Sequence, residues 1–89
     1  MIRKKVLIVN KLGLHARAAA KFVTMASVFK SEIQLARGER TVNGKSIMGV
    51  MMLAAGKGTE LDLIAHGDDE SESIAMLAEL IDKRFGEAS

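Results

Sequence analysis

Hydrophobic positions along the chain repeat with two different periods, and the changes between them mark out its elements. Arg3 to Val9 begins basic and ends aliphatic or β-branched, the pattern of a first strand. After a loop, residues about 100° apart put Ala19, Phe22, Val23, Ala26 and Phe29 on one face of a helix. Arg17, Lys21 and Thr24 fall on the opposite face. Ser31 to Ala36 alternates, with Ile33 and Leu35 inward, as a half-buried strand does. Arg37-Gly38-Glu39 reads as a turn, and Arg40 to Val42 as a short strand returning from it.

Asn43-Gly44-Lys45 interrupts that strand, and Ser46 is placed to cap a short helix from Ile47 to Leu53. Beyond Gly56-Lys57-Gly58, Thr59 to Ala65 alternates again, Leu61 and Leu63 against Glu60 and Asp62. His66-Gly67-Asp68 is a turn. In the last helix Asp69 and Glu72 have capping-box spacing, Lys83 and Arg84 occupy the last turn, and Gly86 is the expected stop. Ile74, Leu77, Ala78, Ile81 and Phe85 form its apolar stripe. The order is β-α-β-β-α-β-α. Strands that alternate, rather than run apolar throughout, predict an antiparallel sheet covered by helices on one side, an α+β two-layer fold.

Composition narrows the class. A chain of 89 residues, 48% hydrophobic and 27% charged, suits one globular domain over residues 1–89. Such a domain buries roughly 60 to 65% of its unfolded surface. No cysteine is present, so disulfides and thiolate chemistry are excluded. No apolar run reaches the ~18 residues of a membrane span, and the run to Val9 is too short for a signal peptide. A cytoplasmic protein without membrane insertion is expected. Residues 1–31 carry seven basic side chains and no Asp or Glu, whereas residues 67–89 carry seven acidic ones against Lys83 and Arg84. The first third is therefore expected to attract acidic partners or phosphorylated groups, unless its charges are merely a solvated surface.

The candidate chemistry lies in Asn10-Lys11-Leu12-Gly13-Leu14-His15-Ala16-Arg17-Ala18-Ala19-Ala20-Lys21-Phe22-Val23. Gly13 permits a sharp turn, and the alanines after His15 are strong helix formers. His15 therefore falls where the first N–H groups of a helix lack intrahelical partners. Those donors favour an anion, and the Arg17 guanidinium adds a fork suited to phosphate oxygens. Both should disfavour imidazolium, and no acidic residue lies nearby in the sequence. A histidine that simply caps a helix, and an arginine that is simply solvated, are the structural alternatives.

Gly13-Leu14-His15-Ala16-Arg17 followed by small residues resembles the active-site signature of the HPr family, the histidine-containing phosphocarriers of the bacterial phosphoenolpyruvate-dependent phosphotransferase system. Asn43-Gly44-Lys45-Ser46-Ile47-Met48-Gly49-Val50-Met51-Met52-Leu53 is similar to that family's regulatory serine segment. Length, order and spacing fit across the chain. The resemblance implies an open-faced sandwich, a four-stranded antiparallel sheet with three helices on one face. It implies that His15 accepts a phosphoryl group through Nδ1 from phosphorylated enzyme I and passes it to enzyme IIA proteins, with Arg17 stabilising the phosphate. The protein would be a stoichiometric carrier rather than an enzyme, monomeric, with no cofactor. Ser46 would be a regulatory site for a serine kinase/phosphorylase, and Ile47 and Met48 would lie at the partner interface. Ala18 departs from the proline found in many members, which loosens the helix start without removing a chemical group.

Other classes fit less well. Two histidines and no cysteine do not supply a zinc site, and His66 has no companion ligand. No Ser-His constellation is recognisable. An RNA-binding module shares the element order and would use the basic first third, but it stacks bases on exposed strand aromatics. Here Phe22, Phe29 and Phe85 all fall on predicted helices, so no nucleic-acid partner is expected.

Overall fold

Alternation along the strands becomes a sheet with two unlike faces. The computed structural model describes all 89 residues. Its elements are β1 (Ile2–Leu7), α1 (Ala16–Ala26), β2 (Glu32–Arg37), β3 (Arg40–Asn43), α2 (Ile47–Met52), β4 (Glu60–His66) and α3 (Glu70–Asp82), then a 3₁₀ turn at Arg84–Gly86. The strands lie in the order β1-β4-β2-β3, every neighbour antiparallel. The predicted four-stranded open sheet with three helices is thus the observed architecture.

Pairing register decides which side chains meet. Val6 stands opposite Leu61, Leu35 opposite Leu63, and Ile33 opposite Ala65, which builds one continuous apolar face. The helices close this face with Phe22, Val50, Leu77 and Ile81, all buried. The other face pairs Lys5 with Asp62 and Arg3 with Ile64. Ile64 is buried there even though no helix covers it. Its cross-strand neighbours Arg3 and Gln34 have long stems that shield apolar surface while their polar ends stay in water.

The last helix departs from its sequence signals at both ends. Asp69 is the N-cap residue, but its carboxylate makes no capping bond. It accepts instead from the backbone N–H groups of Lys30 and Ser31 and from the Ser31 hydroxyl, tying the segment that enters β2 to the start of α3. Glu70, and not Glu72 of the predicted box, reaches back beyond the helix start, where it accepts from the Gly67 N–H. At the other end α3 stops at Asp82, before the expected basic turn. Arg84 and Phe85 take left-handed φ values of 59° and 54°, so the chain has already turned when it reaches Gly86. That turn drops the Phe85 ring into the core, a burial its helical spacing had suggested by another route. Phe29 likewise is buried from the turn after α1 and not from the helix.

The hydrogen bonds from Ser31 and Lys30 hold the Asp69 carboxyl below its ordinary value. A lowered acid contributes stability that is complete above the usual aspartate value of about 3.9 and is lost as pH falls through the lower folded-state value. Asp69→Asn is expected to lower the thermal midpoint at neutral pH. It should also flatten the loss of stability below about pH 4, as followed by circular dichroism melts across an acid series.

Candidate functional site

The site is assembled by a loop that two backbone constraints hold in place. After β1 the pairing with the β4 side continues through Ile8, whose N–H bonds the Thr59 carbonyl at 2.9 Å and whose carbonyl accepts from Gly58 at 2.7 Å. Gly13 has φ of 68°, and a Cβ there would lie 2.4 Å from the Ala55 carbonyl oxygen. Only glycine meets both demands. The Leu14 N–H then bonds the same Ala55 carbonyl at 2.8 Å, and the Leu14 side chain is buried. This seats the loop on the chain that leaves α2.

His15 follows as the N-cap residue of α1, with extended backbone and its carbonyl accepting from the Ala19 N–H at 2.9 Å. Its ring does not cap the helix. The N–H groups of Ala16, Arg17 and Ala18 therefore have no acceptor within the chain, the arrangement that favours an anion at a helix start. Arg17 stands on the same first turn, exposed, without an ion pair or a side-chain hydrogen bond. Ala18 is fully buried in that turn. The structure thus brings His15 and Arg17 to one helix end, as expected.

Sequence reasoning missed the acid beside them. Glu87, 72 residues away in the chain, places one carboxylate oxygen 2.5 Å from His15 Nε2. Its other oxygen accepts from Asn10 Nδ2 at 3.0 Å. The Asn10 amide also donates to the Gly13 carbonyl at 2.8 Å, so both of its bonds require the nitrogen on that side. Hydrogen bonds from Asn10 and then His15 hold the Glu87 carboxyl below its usual range. The sequence places no Asp or Glu near His15, and the fold brings one there. No local signal would have found Glu87, because its place depends on how the chain turns after α3.

Ser46 caps α2 as expected, its hydroxyl accepting from the Gly49 N–H at 3.1 Å. Ile47 and Met48 are 43% and 75% exposed, and Leu12, Met51 and Met52 are exposed as well. The far end of α2 is held by side chains that the sequence assigned only to a turn and a strand. Arg37 donates to the Leu53 and Ala54 carbonyls, and Arg40 to the Met52 carbonyl. The basic first third does not act as one patch. Arg3 and Lys5 pair with Asp62 on the open sheet face, away from the helices. That face carries no Phe, Tyr or Trp, since none occurs in any strand, and the lone imidazole of His66 at the end of β4 does not make the row of stacking platforms an RNA-binding sheet uses.

An open α+β sandwich that offers one half-exposed imidazole at a helix start has the form of a carrier, a protein that presents a small group to larger partners. Residues 2–83 match the family model for the PTS HPr component phosphorylation site. A phosphocarrier protein HPr of Neisseria meningitidis is 53% identical over 87 residues, 98% of each chain. A crystal structure of HPr from Thermoanaerobacter tengcongensis superposes with a TM-score of 0.96 at 47% identity, covering 100% of both chains. A second structure from that organism, described as an HPr dimer, gives 0.78 at 48% identity over 98% of this chain and 100% of its own. The chain belongs to the HPr family of phosphocarrier proteins of the phosphotransferase system.

Ser46→Ala removes the N-cap acceptor and should destabilise the protein by about 1 kcal/mol. Urea unfolding would read this as a lower midpoint with an unchanged slope.

Proposed function

We propose that His15 is the phosphoryl acceptor and donor of this carrier. It takes the group on Nδ1 from phosphorylated enzyme I and delivers it to enzyme IIA proteins. The observation that carries this reading is the first turn of α1, where three N–H groups without acceptors and an unpaired Arg17 adjoin the imidazole. Those donors meet the charge on the phosphoryl oxygens, and Arg17 can bind two of them at once. Transfer then depends mainly on positioning and charge stabilisation, with little covalent work for the protein. The protein is a stoichiometric participant in reactions that its partners catalyse, and it acts in the cytoplasm as a monomer of one domain. It needs no cofactor.

Ile47 and Met48 support the partner interface. Flexible thioether side chains adapt to several surfaces, which suits a carrier that meets a donor and then different acceptors. Ser46 is read as a regulatory site for a serine kinase/phosphorylase. A phosphate there would sit at the start of α2, next to this apolar surface, and would repel an acidic partner docking on it.

Incubation with enzyme I, magnesium and phosphoenolpyruvate should add one acid-labile phosphoryl group, seen as intact mass. His15→Ala should gain none. Arg17→Ala should be phosphorylated about 10- to 100-fold more slowly, the loss of one charge-assisted bond of about 1.5–3 kcal/mol. No gain by the natural protein, with an enzyme I proven on another carrier, would sink this reading.

A further inference from the structure

His15 is held through Nε2 by a carboxylate distant in sequence, and the chain takes an unusual course to bring it there. Beyond α3, Arg84 and Phe85 both adopt left-handed backbone angles, rare for residues with a side chain and unfavourable unless the surroundings enforce them. The enforcement is visible. The Phe85 ring is 1% exposed, its carbonyl accepts from Lys21 Nζ at 2.8 Å, and the Lys11 N–H bonds the Ser89 carbonyl at 3.1 Å. Together these deliver Glu87 to the imidazole. Asn10 holds it there while its own Oδ1 stays buried without a partner. An orphaned acceptor is a penalty that a merely decorative contact does not explain.

We infer that Glu87 is a positioning residue for phosphoryl transfer. Its carboxylate takes a hydrogen bond from the protonated Nε2 of His15 and so keeps the lone pair on Nδ1. An ionised carboxylate can only accept, and a neutral imidazole has one donor nitrogen, so the nitrogen facing Glu87 is the one that carries the proton. The same division of labour orients the histidine of hydrolytic triads. This rests on the reading of His15 as the acceptor. In the forward step the Nδ1 lone pair forms a bond to phosphorus as the bond from phosphorus to the donor breaks, and that electron pair leaves with the donor. Nε2 keeps its proton throughout, and Glu87 meets the positive charge that develops on the ring. In the return step the nitrogen–phosphorus electron pair goes back to Nδ1.

The test pairs two readouts on Glu87→Ala and Glu87→Gln. Long-range ¹H–¹⁵N correlation of the imidazole, at a pH well above about 6.5, reports the tautomer without any phosphoryl transfer. The natural protein should show the Nε2–H form alone, and the alanine variant an admixture of Nδ1–H. The glutamine variant keeps an acceptor oxygen and should keep the tautomer. Phosphorylation by enzyme I should slow about tenfold in the alanine variant and less in the glutamine variant. An alanine variant with the natural rate, or with the natural ring shifts, would overturn the inference. Failure of the natural protein to be phosphorylated would instead remove the reading of His15 while leaving the tautomer result to stand by itself.

Discussion

The close approach of the Gly13 backbone to Ala55 and Gly56 is the constraint on which the site depends. A Cβ at Gly13 would lie 2.4 Å from the Ala55 carbonyl oxygen and 2.7 Å from Gly56 Cα, so a larger residue would force the loop away. With glycine the Leu14 N–H reaches that same carbonyl, and His15 is delivered in extended geometry to the start of α1. The loop and the chain leaving α2 thus become one surface. Imidazole, Arg17 and the exposed side chains of α2 all take their positions from it.

On the proposed reading, the site presents two fields of opposite sign. Free N–H groups and Arg17 favour negative charge at the helix start, and so favour the phosphorylated state. The Glu87 carboxylate, hydrogen-bonded through Nε2, meets the positive charge that phosphorylation develops on the ring. A carrier must release its group as readily as it takes it, so a site that stabilised the phosphorylated state strongly would only trap it. His15 is partly exposed, so water moderates both fields and keeps the site from becoming a trap.

Charge along the chain and charge in space are different quantities here. The first third is wholly basic in sequence, yet β1 turns Arg3 and Lys5 to the open face, where Asp62 offsets them. Lys21 serves the carbonyl of Phe85, which fixes the terminal turn. Arg17 keeps an unpaired charge beside His15. A sheet separates residues that alternate along one strand, so a run of like charges is divided between two faces.

The elements and their order were legible in the sequence because side-chain periodicity is a local property. Ile33 and Leu35 on β2, Leu61 and Leu63 on β4, and Phe22 on α1 all point into the core that their spacing predicts. His15, Arg17 and Ser46 were legible for the same reason, since a helix start is written in the few residues around it. Glu87 at the imidazole, Asn10 beneath it, and Arg37 and Arg40 on the end of α2 were not. Each depends on groups that meet only after the sheet has paired and α3 has packed. Asp69 states the distinction most directly: its spacing to Glu72 described a local cap, but folding brought Lys30 and Ser31 within reach and their donors claimed its carboxylate. The sequence by itself determined which segments form helices and strands and where one imidazole would stand. Only the tertiary structure decided which acid faces that imidazole, because hydrogen bonds go to the nearest competent partner in space, however far along the chain it lies.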